Sequence, residues 1–471
     1  MAELYTLQAY IRIIAAYLPP ERNTRNIPLR HFYFNSKIIH MKKLYVFVIA
    51  ILLTNLSFGQ LIGTYTIPGS TYATIAAAIT DLNTQGVGAG GVTFNVAAGY
   101  TETISARLNL TATGTLANQI VFQKSGSGAN PKITAYSGGT ATPSSATPDG
   151  IWSFQGSDYI IIDGIDLYDP NAANPATMEY GYGLFKNNAT DGAQNITIKN
   201  CVITLNRINN ASSTSPMVDG SVGILVINST PTAATTAITP TSAAGTNSNN
   251  KFYTNTIQNC NYGIALSGYA AATPFTLGDT GNDIGGTALS TGNNILNYGG
   301  GAATNPAAGI RANNEWGINI SYNTINNNNG SGVNHATTLR GIYAQAGTSA
   351  NVTITYNNIT VNCGATTSSV YGIDSEIGST AASNTVNVNN NNVTGTYTTA
   401  TSGAFYAIYN TASAATVNLN YNAVHDISTP GTGYIYCIAN TATSTNLNFL
   451  NNTISTITKT GAAYIEGLYN T

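Results

Sequence analysis

Apolar and polar residues alternate along this chain in a way that repeats. A six-residue pattern reads apolar, two variable residues, Asn, one variable residue, apolar. It occurs at Phe252-Asn255-Ile257, Ile320-Asn323-Ile325, Ile354-Asn357-Ile359, Val388-Asn391-Val393, Leu419-Asn422-Val424 and Phe449-Asn452-Ile454. A further copy, Ile198-Cys201-Ile203, has Cys in the Asn position. From Asn323 onward the steps are 34, 34, 31 and 30 residues; the two earlier steps, 54 and 68, are about twice that. A fixed period of this size marks a solenoid, whose units are each too small to bury a core alone.

A second series keeps the same period. Gly-Ile or a close variant places an apolar residue at Ile224, Ile264, Ile310, Ile342, Ile373, Ile408, Ile438 and Leu468. Ile318-Ile320, Val352-Ile354, Val386-Val388 and Val417-Leu419 alternate with polar neighbours. That is period two, a strand with one buried face. Helical spacing is absent, and Asn, Gly and Thr are too common for helical repeats.

The recurrent Asn has two physical uses. A turn between strands often needs a left-handed residue, which Asn tolerates. Its amide also carries both donor and acceptor, so stacked copies roughly 4.8 Å apart can bond to one another along the solenoid. Cys201 fits such a ladder as a small buried member.

The 471 residues are 43% hydrophobic and only 8% charged, with 29 Tyr, which argues against long disorder and for an extracellular all-β protein. Met41-Lys42-Lys43 followed by the apolar stretch Tyr45 to Leu56 and the small residues Ser57 and Gly59 reads as a signal peptide over 41–59. The stretch is shorter than the roughly 18–20 residues that span a bilayer, so stable membrane insertion after signal removal is not expected. Residues 1–40 precede that signal and carry none of the repeat, as a misassigned start would leave them. Without residues 1–59, 10 basic and 17 acidic residues give a net charge near −7. No basic stripe for nucleic acid exists. Cys201, Cys260, Cys363 and Cys437 have no zinc spacing and are expected as free buried thiols.

After the signal, Thr74 is placed to cap a helix whose Ile75, Ile79 and Leu82 share one face. Gly86 to Gly91 then breaks it, and Val92-Thr93-Phe94-Asn95-Val96 reads as a strand. The run "YATIAAAITDLN", a Gly-rich turn and "VTFNVAAGYTE" resemble the opening of pectin-lyase-like right-handed parallel β-helices. With "YIIIDGIDL" (Tyr159 to Leu167) and the "NITIKNCVI" coils, the resemblance covers nearly all of 60–471. It is similar, in particular, to β-helix surface proteins of Gram-negative gliding-type bacteria, which often carry a C-terminal sorting domain for type IX secretion. The resemblance implies a short capping helix within residues 60–100, a β-helix of about a dozen coils over 101–471 and a secreted or outer-surface location. It implies little about activity, because the superfamily includes lyases, hydrolases, esterases, adhesins and epimerases.

Residues 227–248 and 269–304 read as two inserts between coils, and inserts in solenoids map to loops. The chain stops soon after the Gly-Leu of a new coil, so a longer natural protein, truncated here at its C-terminus, is expected.

Several residues are candidates for chemistry. Asp163, Asp166 and Asp169 in "IIIDGIDLYDP" could hold Ca²⁺, which takes six to eight oxygens, or serve as turn residues. Arg311, Tyr343, Asp374 and Tyr409 follow the Gly-Ile marker at one phase, continued by Tyr469, and should form an outward row. Such a row could stack on sugar rings, or its tyrosines could simply pack on one another across strands. Tyr371, Tyr406 and Tyr436, two residues before the Ile, should share its inward face. His335 and His425 read as surface or turn residues.

Polygalacturonase-like motifs are absent, and no cofactor motif occurs. Two functions follow. One is a non-catalytic surface protein that binds polysaccharide or cell-surface glycan, in the manner of an adhesin. The other is a polysaccharide lyase or glycoside hydrolase acting on an acidic polysaccharide, using the Asp163 cluster and Arg340.

Overall fold

The computed structural model describes residues 59–139, 146–171, 178–210, 215–300, 305–330, 334–345, 347–376 and 383–471. Residues 1–40, and all but the last residue of the expected signal 41–59, lie outside that set. Gln60–Thr471 forms one compact unit.

Three long sheets run through this unit. Sheet A has 12 strands, and sheets B and C have 11 each. A representative coil passes through Ile318–Ser321 in sheet A, Thr324–Asn326 in sheet B and Leu339–Gln345 in sheet C. Each strand pairs in parallel with its equivalent one coil further on, for example Ile320 with Ile354, Ile325 with Ile359 and Ile342 with Ile373. The fold is a right-handed parallel β-helix.

The alternating apolar residues line its interior. Ile320, Ile354 and Val388 in sheet A, Ile325, Ile359 and Val393 in sheet B, and Ile342, Ile373 and Ile408 in sheet C have no exposed surface. Each buried Ile or Val contributes roughly 1.5–3 kcal/mol relative to solvent exposure. In the coils of Ile310 and Ile342 the glycine of the marker is required sterically, whereas Ala407 and Cys437 occupy that position further along. A Cβ on Gly309 would stand 2.5 Å from Ile325 Cγ2, and one on Gly341 2.5 Å from Ile359 Cγ2.

The single α-helix among the described residues, α1 (Ile75–Gln85), buries Ile75, Ala78, Ile79 and Leu82 in the N-terminal end of the core. Thr74 Oγ1 accepts the Ala77 N–H at 3.0 Å, as its sequence position predicts. The Glu102 carboxylate, 27 residues further along the chain, accepts the N–H groups of Ile75 and Ala76. An anion there also favours the positive end of the helix dipole.

The Asn residues form a continuous ladder at the corner between sheets A and B. Side-chain amides join Asn255, Asn293, Asn323, Asn357, Asn391, Asn422 and Asn452 at 2.9–3.1 Å. Cys201 takes the first rung, its N–H bonding Asn255 Oδ1. The rungs are not the left-handed residues, however. Positive φ falls one position earlier, at Asn200, Thr254, Tyr322, Tyr356, Asn390, Tyr421 and Asn451.

The irregular steps have two separate causes. The 54-residue step is one coil enlarged by the loop after Val222–Ile227. The 68-residue step is two coils, with Asn293 as the intermediate rung. Residues 269–304 are accordingly not one loop. They include Asp283–Ile284 in sheet A and Asn294–Leu296 in sheet B. Asp279–Thr280 also pairs with Glu315–Trp316 in a small fourth sheet.

All four cysteines are free and buried. His335 is a correction to its surface reading: it is fully buried, and burial pushes its imidazole down to about 4. His425 is partly exposed and lies beside Asp426 and Asn392. Among the described residues no helix is long and apolar enough to cross a membrane.

Candidate functional site on the outer face of sheet C

Two rows of side chains run along the outside of sheet C. One passes through Tyr180, Val222, Tyr262, Ala308, Arg340, Tyr371, Tyr406, Tyr436 and Glu466. The other passes through Gly183, Leu225, Ala265, Arg311, Tyr343, Asp374, Tyr409, Ala439 and Tyr469.

The rows change character partway along. In the N-terminal coils they are apolar and covered by Met217, Val218 and Ala234 from neighbouring loops, making a second hydrophobic cluster outside the solenoid. From Arg311 and Arg340 onward they become charged and aromatic, and the tyrosines are part-exposed.

Tyr371, Tyr406 and Tyr436 therefore face outward, contrary to the period-two expectation. The reason is local. Phe405, Ala407 and Ile408 all belong to the core, as do Cys437 and Ile438. Two successive residues turn inward, and strict alternation fails at that point. The residue two before the Ile is thereby placed on the opposite face from it.

The tyrosines pack mainly on one another. Tyr371 and Tyr406 stack at 5.1 Å between centroids, and Tyr406 and Tyr436 at 4.7 Å, with interplanar angles of 7° and 5°. Tyr409 leans against Tyr406 at 4.6 Å and 41°. Tyr469 meets Tyr436 edge-on at 5.2 Å. Tyr434 and Tyr464 extend the aromatic surface, stacked at 5.8 Å. In the central column the ring faces cover each other, so edges and hydroxyls point outward. Cross-strand packing and an external display of polar edges coexist in the same residues.

Charged groups lie at the start of this strip. Arg340 Nε donates to Asp374 Oδ2 at 2.6 Å. Its guanidinium carbon also lies 4.0 Å from the Tyr343 centroid and 5.0 Å from that of Tyr371. Tyr343 donates to Glu376 Oε2 at 2.9 Å. Burial pushes the Asp374 carboxyl up to about 6, against the opposing pull of Arg340. Burial, then the neighbouring tyrosines, push Tyr406 up to about 12. Burial likewise raises Tyr343 and Tyr371. These phenols are protonated at neutral pH and act as hydrogen-bonding groups rather than bases.

The structure thus puts Arg311, Tyr343, Asp374 and Tyr409 in one row, at successive coils. It does not gather the three aspartates. Asp163 pairs with Lys199 at 3.0 Å and accepts from Asn200. Asp166 accepts from Asn130 and the Val202 N–H. Asp169 accepts from Asn171 and Asn206. The turn at Gly164, with φ +70°, separates Asp163 in sheet A from Asp166 in sheet B. Among the described residues no three His, Cys, Asp or Glu side chains are grouped to hold a metal ion.

No family model matches the chain, and no curated protein matches it. Solved structures do. A GH136 lacto-N-biosidase from Eubacterium ramulus aligns over 80% of this chain at 13% identity and a TM-score of 0.44. This chain spans 64% of that protein's length. PfbA, a surface adhesin of Streptococcus pneumoniae, aligns over 82% of this chain and 88% of its own at 13% identity, with a TM-score of 0.42. An alginate lyase from a Paenibacillus species aligns over 87% of this chain and 99% of its own at 11% identity, with a TM-score of 0.32.

Proposed function

We propose that this is an exported surface protein that binds a glycan along the outer face of sheet C, without cleaving it. The observation that carries this reading is the aromatic strip itself. Tyr371, Tyr406 and Tyr436 repeat at the coil spacing, flanked by Tyr409, Tyr469 and Tyr434. A strip that repeats every coil suits a ligand that also repeats, lying along the solenoid. Tyrosine hydroxyls and edges offer such a chain hydrogen bonds and apolar contact together. Arg311, Tyr343 and Tyr409 are the contact residues at the charged end of the strip, and Asp374, buried in the same row, holds the Arg340 guanidinium beside them.

Export rests on the signal-like segment 41–59, and the type IX route and Gram-negative outer surface on the sequence resemblance. An adhesin-like role fits the same placement.

The test is retention of the full chain on immobilised acidic and neutral polysaccharides, with a reducing-end assay in parallel. Binding without new ends, weakened at least tenfold by Tyr406→Ala in folded protein, is the expected result. New reducing ends would replace this reading with the lyase or hydrolase one. Absence of retention on every polysaccharide would remove the glycan role.

A further inference from the structure

A different set of tyrosines stands at the corner between sheets A and B, away from sheet C. One residue per coil turns this corner in the left-handed region, immediately before the Asn rung. In consecutive coils these residues are Tyr322 (φ 62°), Tyr356 (58°), Asn390 (57°), Tyr421 (57°) and Asn451 (55°). Their backbones bond in series: the N–H of Tyr322 to Thr355, of Tyr356 to Asn389, of Asn390 to Asn420 and of Tyr421 to Leu450.

Asn adopts this conformation readily, because its short side chain relieves the contact with the backbone. A tyrosine does not, and a bulky residue there is an outlier. Nor does the core gain from these rings, since Tyr356 is 49% and Tyr421 55% exposed. Asn200, Asn390 and Asn451 show that the turn forms without them. The tyrosines at this corner are thus costly to the turn and absent from the core, which leaves the outward face as the place where they act.

Their arrangement defines an opening. Tyr322 and Tyr356 stack at 4.9 Å with planes 3° apart. The next coil has Asn390 in place of a ring, and the coil after that has Tyr421. Tyr356 and Tyr421 are two strand spacings apart, roughly 9.6 Å. One face of Tyr356 is covered by Tyr322 and the other looks toward the gap. Tyr421 stacks on no other ring among the described residues. At the base, the Asn390 side chain makes no hydrogen bond among the described residues and keeps both a donor and an acceptor.

We propose that Tyr356, Asn390 and Tyr421 form a slot for a single pyranose ring of a glycan. The ring would lie one coil spacing from each tyrosine, at the separation Tyr322 and Tyr356 already show. Its C–H faces would meet the two phenol rings, and the Asn390 amide would bond a hydroxyl at its edge. A purely apolar aromatic ring would use the two faces and leave the amide unanswered, so the amide selects for a ring with a polar edge. The slot is independent of the sheet C strip, and neither reading needs the other.

The test is saturation-transfer NMR on the full chain with three probes: methyl β-D-glucopyranoside, methyl β-D-galactopyranoside and methyl α-D-mannopyranoside. Toluene serves as the apolar aromatic comparison. At least one glycoside should receive saturation at its ring protons. Asn390→Tyr fills the gap with a ring in a position where tyrosine already occurs three times, so the variant is expected to fold. It should weaken glycoside binding at least tenfold, as should Tyr421→Ala. The proposal is overturned if no glycoside binds, if toluene alone binds, or if both variants bind within twofold of the parent.

Discussion

Arg340 and Asp374 sit on adjacent coils, with Nε and Oδ2 2.6 Å apart and only 1% of the Asp374 side chain exposed. The same guanidinium lies over Tyr343 and Tyr371. The ion pair thereby anchors the first rings of the aromatic strip. Arg340→Met leaves the aspartate buried and unpaired, and should cost on the order of 3 kcal/mol in urea unfolding. Adding Asp374→Leu should recover most of that loss, whereas additive losses in the double variant would contradict the pairing.

The Asn ladder is equally open to test. Asn391 donates to Asn422 Oδ1 and to the Ile354 carbonyl. Its own Oδ1 accepts the N–H and the amide of Asn357. Asn391→Asp removes both donated bonds and sets a carboxylate against two oxygens. A loss of about 2–3 kcal/mol is expected, read as a lower midpoint in urea. An unchanged midpoint would show that the rung contributes nothing.

Stability should also fall as pH rises. Burial raises Asp158 to about 6, Glu179 to about 8 and Glu315 well above the usual carboxylate range. Asp374 is raised to about 6. A carboxyl with a higher folded pKa favours the folded state at pH below its unfolded value, near 4, and that contribution is lost as pH climbs through the folded value. Glu315 is the clearest case. It lies in register with Asp279, and the Lys186 ammonium near them is 3.6 Å from Asp279. Thermal midpoints should therefore decline between pH 5 and 8.5. The combined variant Glu179→Gln and Glu315→Gln should flatten the decline.

A fourth prediction concerns the Gly-Ile marker. Gly309→Ala forces a Cβ to within 2.5 Å of Ile325 Cγ2 and 2.8 Å of the Gly341 carbonyl. The expected cost is about 1–3 kcal/mol. Ile325→Ala removes that Cγ2, so the double variant with Gly309→Ala should lose less than the sum of the two single losses.

Most of the architecture could be read from the sequence, because a solenoid writes the same physical requirement into every coil. Asn323, Asn357 and Asn391 are visible as a series since each rung needs the same amide. Asn293 escaped because residues 285–292 separate Ile284 from its rung, so the six-residue pattern is broken while the hydrogen bonds are kept. The aromatic strip was half visible. Tyr343 and Tyr409 follow the marker directly, whereas strict alternation would put Tyr371, Tyr406 and Tyr436 inside and fails where Ala407 and Ile408 both face the core. Asp163, Asp166 and Asp169 are neighbours only along the chain, since the corner at Gly164 distributes them over different partners. The stacking of Tyr322 on Tyr356 had no sequence signal beyond one shared phase, because the functional reading of that corner depends on which coil lacks a ring.

The ladder also bears on how such a protein can change. Asn293 holds its rung although eight residues precede it where the other coils have two, and across the long loop between Ile227 and Lys251 Asn255 still bonds the Cys201 N–H and the Ile198 carbonyl. Alignment of each coil is thus secured by one side-chain amide reaching the preceding coil, whatever the length of chain between them. Segments can be lengthened, shortened or exchanged at the corners while the stack keeps its order. The solenoid is in this sense a backboard on which surface loops diversify independently, each answerable to its own ligand and not to the core beneath it.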